Sequence, residues 1–185
     1  MILLVATLLS QAGGRLSSFV ERLVERTGRP VPVLVGVMLA QGALAAVAIR
    51  IGMMLAPQVT PETLSLFLAF ALVMVGLGMC GRLPRPGSPF GPPRLGVFGT
   101  AALGAGLILS TESGLILVAV AAARSPLPWA AWPGVMLGLA GALLPAILLG
   151  TREWRRLAWR AIRVFGGAVM ILTGIVIGLS AKGLI

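Results

Sequence analysis

Aspartate, histidine and tyrosine are absent from this 185-residue chain, and cysteine occurs once. Without His or Asp, triad-type hydrolysis has no base and no orienting acid. Without clusters of His and Cys, zinc, copper, haem and iron–sulfur sites have no ligands. Cys80 alone permits no intrachain disulfide. These absences argue against an enzyme and against a bound cofactor. Acids are scarce too: Glu21, Glu25, Glu62, Glu112 and Glu153 stand against fourteen Arg and one Lys, a net charge of +10. In a soluble protein that excess would suggest nucleic acid. Here the Arg sit at the ends of long apolar runs, so lipid headgroups and topology explain them and no nucleic-acid partner is expected. Charged residues make up 11% of the chain, against about 25% in soluble domains. The mean hydropathy of +1.03 excludes a soluble globule.

What is present repeats. Gly36-Val37-Met38-Leu39 returns 98 positions later as Gly134-Val135-Met136-Leu137. The offset holds at Ile49/Ile147, Gly52/Gly150, Phe67/Phe165 and Gly76/Gly174. Upstream, after a three-residue slip, Ser10-Gln11-Ala12-Gly13 lies over Thr111-Glu112-Ser113-Gly114. An internal repeat in so apolar a chain is a mark of a duplicated membrane transporter.

A helix crossing ~30 Å of hydrocarbon needs about 20 apolar residues. Adequate runs are Pro30–Ile49, Thr63–Gly81, Leu95–Thr111 (continuing past Glu112 to Ala123), Ser125–Thr151 and Val164–Ala181. A sixth, Met1–Gly14, extends through Arg15 to Val20. No positive charge precedes it, as one would in a cleavable signal, so it is expected to be retained. The spacing therefore predicts an all-α integral membrane protein of six transmembrane helices. They divide into two three-helix repeats, 1–82 and 95–185, joined by a Pro/Gly/Arg-rich linker, 83–94. Three spans per repeat is an odd number, so the second copy is inverted relative to the first.

Arginines set the expected orientation. Arg22, Arg26 and Arg29 follow the first span, Arg82, Arg85 and Arg94 the third, and Arg152, Arg155, Arg156, Arg160 and Arg163 the fifth. The other side has Arg50, Arg124 and Lys182. The positive-inside rule then makes the Arg-rich connections cytoplasmic and puts both termini outside, in a bacterial inner membrane. The lipid bilayer is the expected partner, and a homodimer is compatible with this pattern.

Glu112 is the acid placed deepest within an apolar run. An ionised carboxylate there costs about 2.5 kcal/mol or more. A proton, a cation or an arginine must neutralise it. Ser110, Thr111 and Ser113 add hydroxyls beside it, and all-oxygen ligation suits hard cations such as Ca²⁺ or Mn²⁺. On the first helix, Gln11, Arg15, Ser18 and Arg22 follow helical spacing and form a polar stripe that would face the interior or an aqueous cavity, although Arg22 and Arg26 are expected to snorkel to the cytoplasmic interface, with Glu21 and Glu25 in surface pairs. The repeat would bring Arg15 near Glu112, so an Arg15–Glu112 ion pair is one expectation.

Six helices in two inverted triplets, with a motif on the first and fourth, resemble the Golgi and bacterial calcium/manganese cation–proton exchanger family of the lysine-exporter superfamily. That family carries two copies of Glu-x-Gly-Asp-Lys/Arg-Ser/Thr. In the first copy here Gly13 and Arg15 match, while Gln11, Gly14 and Leu16 replace Glu, Asp and the hydroxyl residue. In the second, Glu112 and Gly114 match, and Leu115, Ile116 and Leu117 replace the rest. Of the four motif acids, Glu112 remains. The resemblance implies exchange of Mn²⁺ or Ca²⁺ for protons, with Glu112 as metal ligand and proton site. Gln11, Ser10 and Thr111 would assist, and Gly13 and Gly114 would be the motif glycines. Two other readings stand beside it. One is a non-transporting relative whose Arg15–Glu112 pair is structural. The other is an exporter of a small organic solute such as an amino acid, with Arg15 taking its carboxylate.

Overall fold

The computed structural model describes residues 2–11, 14–81, 96–148 and 159–183, and all regular structure among them is helical. The expected linker 83–94 and the motif glycine Gly13 lie outside the described residues. The helices are α1 (Ile2–Gln11), α2 (Arg15–Thr27), α3 (Pro30–Leu55), α4 (Pro61–Cys80), α5 (Gly96–Ser110), α6 (Gly114–Arg124), α7 (Ala131–Leu148) and α8 (Trp159–Ala181). Prolines open α3 and α4, where a missing N–H costs nothing. Thr60 caps α4 by accepting from Thr63 N. Gly28 ends α2 in the left-handed region (φ 62°) and donates back to Val24 O, turning the chain into α3.

Among the described residues, three segments are long and apolar enough to cross a membrane: Pro30–Gln58, Pro61–Cys80 and Arg160–Ala181. The count reaches five if α1–α2 and α5–α6, bent by 56° and 72°, are each one span. The sequence expects six. Within the fifth run the described residues give a shorter apolar helical stretch, Pro128–Leu144, which opens on a 3₁₀ turn at Pro128–Ala130 and continues as α7. The outer surface is apolar, with Leu39, Phe70, Phe165 and Leu172 all exposed.

Small residues decide which helices touch. Gly36 abuts Phe98 O and Ala101, and Gly52 abuts Ala119 O, so α3 runs parallel to α5–α6. Gly134 lies against Leu3 and Leu4, Gly138 against Leu4 O and Thr7, and Gly141 against Leu8, so α7 runs parallel to α1. The most extensive pairing, α4 with α8, is antiparallel. There a Cβ on Gly76 would stand 2.6 Å from Gly167 O, and one on Gly174 would stand 2.8 Å from Ala69 O. Gly76/Gly174 and Ala69/Gly167 both obey the repeat offset, so the two contacts are mates of each other. Such residues let helix backbones approach where lipid supplies no hydrophobic drive.

Among the described residues, three apolar clusters fill the interior. Leu16, Val20 and Leu23 of α2 meet Val37, Leu109, Leu139 and Leu143 below the two bends. Ile49, Val118, Ala122 and Val135 join α3, α6 and α7 on the other side. Ala6, Leu72, Val75, Leu117 and Met170 tie α1 and α6 to the α4–α8 pair.

Candidate functional site: two interrupted helices

Both bends arise from polar residues that bond the local backbone in place of continuing the helix. At the second, Thr111 N and Glu112 N donate to carbonyls three residues back, Ile108 and Leu109. Thr111 Oγ1 donates to Ile108 O at 2.8 Å and Ser110 Oγ to Leu107 O at 3.0 Å. The turn tightens, and α6 restarts after Ser113. At the first, Gly14 N donates to Gln11 O. Ser17, almost fully buried, donates its hydroxyl to the same oxygen at 2.7 Å, with Gly14 O a weaker second acceptor. Replacing Ser17 with alanine should therefore lower the unfolding free energy by about 1 kcal/mol. An SDS unfolding titration reads this, and unchanged stability would show that the bond does not hold the bend.

The two bends meet. Gln11, at the end of α1, donates from Nε2 to Glu112 Oε2 at 2.5 Å. Gln11 is 4% exposed, and its Oε1 has no donor among the described residues. Glu112 is half-buried. Arg15 and Arg163 both act on it electrostatically.

The expected site residues are thus sorted. Gln11 and Glu112 come together. Ser10 and Thr111 do not join them through their hydroxyls, which donate to Thr7 O and Ile108 O on their own helices. Gly114 begins α6, and open space surrounds the place a Cβ would take there. Arg15 is exposed at the start of α2. The polar stripe expected over Gln11, Arg15, Ser18 and Arg22 does not face the interior as one surface. The chain bends after Gln11, and α2 buries Leu16, Ser17, Val20 and Leu23 instead. An apolar stripe on that same helix takes the interior, because burying several guanidinium groups there would cost far more than burying leucine and valine.

Two residues were missed. Ser17, not among the expected site residues, is a buried strut. Arg163 looked like one of five cytoplasmic arginines, yet it is 7% exposed, and its Nη1 packs 3.7 Å from where a Cβ on Gly14 would stand. A signal existed: it shares a helical face with the small residues Gly166, Gly167 and Gly174, whose spacing marks a buried stripe.

Among the described residues no three His, Cys, Asp or Glu side chains gather into a metal-holding group. Oxygen donors near the bends are a carboxylate, an amide and backbone carbonyls. An open cavity of about 760 Å³, lined by Glu62, Ser65, Arg124 and Ser180 among others, includes neither Gln11 nor Glu112. Compared with known proteins, the chain matches no family model, no curated protein and no solved structure.

Proposed function

We propose that the protein is a small secondary transporter that exchanges a hard divalent cation, Mn²⁺ or Ca²⁺, for protons across a bacterial inner membrane. The observation that carries this reading is the hydrogen bond from Gln11 to Glu112, which joins two interrupted helices at corresponding points of a repeat. Interrupted helices meeting at a repeat interface are where secondary transporters bind their substrates. The reading takes α1–α2, α3 and α4 as one triplet and α5–α6, α7 and α8 as its inverted copy. Its support is the pairing itself: α1 with α7 mirrors α5–α6 with α3, and α4 with α8 is its own mate.

The pair suits a group that must be charged in one state and neutral in another. An ionised Glu112 accepts from the Gln11 amide N–H, whereas a protonated one can donate to the same amide's oxygen after rotation about its terminal torsion. Gln11 thus satisfies either form without moving the backbone. The cation would replace the proton on Glu112, with Gln11 Oε1 supplying a neutral oxygen. Rocking of one triplet against the other would expose this point to each side in turn. Mn²⁺ and Ca²⁺ flux into proteoliposomes under an imposed proton gradient tests the reading, and no flux of either from folded protein removes it.

Orientation has its own test. Cys80 is exposed at the end of α4, just before the arginines of the 83–94 connection. A membrane-impermeant maleimide should label it in inverted vesicles and not in right-side-out ones. Labelling only in the latter would reverse the assigned topology.

A further inference from the structure

Arg163 is the only charged side chain among the described residues with less than a tenth of its surface exposed. It projects from the small-residue face of α8 onto Gly14, at the bend beside Gln11. Its charge and that of Glu112 act on each other across that bend. A guanidinium cannot shed its proton, so burying it beside a carboxylate site leaves a permanent positive charge in the substrate's path. We infer that Arg163 is the resident counter-charge of the Glu112 site and determines its selectivity: it balances the carboxylate when the site is empty, and an arriving cation must bind against its field. This rests on the reading of Gln11–Glu112 as a cation site. The field of Arg163 also means that cations bind weakly and leave readily, which a transport site requires.

The arrangement separates charge from packing. Arg163→Lys keeps the positive charge, and Arg163→Gln removes it while keeping a long polar side chain. Purified full-length protein is titrated with Mn²⁺, and free metal is followed by its electron paramagnetic resonance signal. Removing a nearby unit charge should tighten Mn²⁺ binding by R163Q about tenfold or more. R163K should bind as wild type does, while E112Q and E112Q/R163Q should not bind. Wild-type affinity in R163Q, with binding still lost in E112Q, would overturn the inference and leave the cation reading standing. If none of the five proteins binds Mn²⁺, the cation reading fails, and their thermal unfolding judges the counter-charge separately. Recovery of the R163Q loss in the double variant upholds it, including recovery of folding where R163Q alone does not fold, whereas additive losses overturn it.

Discussion

Glu112→Gln should reduce proton-driven Mn²⁺ and Ca²⁺ flux to the level of protein-free vesicles while leaving the protein folded. The substitution conserves size and keeps a partner for Gln11, since two amides can bond each other where an amide and a carboxylate did. What it removes is the one group at the bends able to alternate between charged and neutral forms. A cation crossing the membrane loses its hydration and must be repaid by fixed negative charge, and dipoles alone are weak for a divalent ion. Among the described residues the groups that act on Glu112 are Gln11, Arg15 and Arg163, none of which can take over the negative charge. Flux in E112Q equal to wild type would take the carboxylate out of the mechanism. Unfolding of E112Q would instead assign Glu112 a structural task, the role expected of it in a non-transporting relative.

Gly52→Ala should lower the unfolding free energy by about 1–3 kcal/mol, the range for forcing extra volume into a packed interface. A Cβ at Gly52 would overlap the carbonyl oxygen of Ala119, a backbone atom of α6 that cannot swing aside as a side chain could. Relief requires α3 and α6 to separate, which opens the cluster of Ile49, Val118 and Ala122 just beside it. Gly106→Ala is the control. It also lies in a helix, but its added Cβ meets nothing within 4 Å. It should be neutral or gain up to ~1 kcal/mol, because alanine favours a helix interior over glycine. SDS unfolding titrations of both variants make the comparison, and equal effects would mean that close approach at Gly52 contributes nothing to assembly.

Legibility in the sequence followed the range of the forces involved. Hydropathy acts along the chain, so the long helices could be read from composition alone, with the uncharged run Pro30–Ile49 falling inside α3. The bends were legible only as polar insertions in apolar runs. Ser10-Gln11 and Thr111-Glu112 stood out because the repeat set them over one another, yet their hydroxyls and carboxylate looked equivalent as ligands. In the folded chain Ser10 and Thr111 spend their hydroxyls on their own helices, as short polar side chains near a helix end do. Gln11 is long enough to reach across.

By itself, the sequence determined that the chain is helical and apolar enough to cross a membrane at several points, that polar residues fall within two of its apolar runs, and that Glu112 is the acid in one of them. These follow from local chemistry, since backbone hydrogen bonds left without water must close within a helix and polar clusters locally undo it. Only the tertiary structure decided which polar side chains meet. It brought Gln11 to Glu112, left Arg15 exposed and buried Arg163 against Gly14. The physical reason is that these apolar helices are nearly interchangeable in composition. Their pairing is chosen by shape, at glycines such as Gly36, Gly52, Gly76 and Gly138 where one backbone fits against another. Residues far apart in the chain become neighbours as a consequence of that fit.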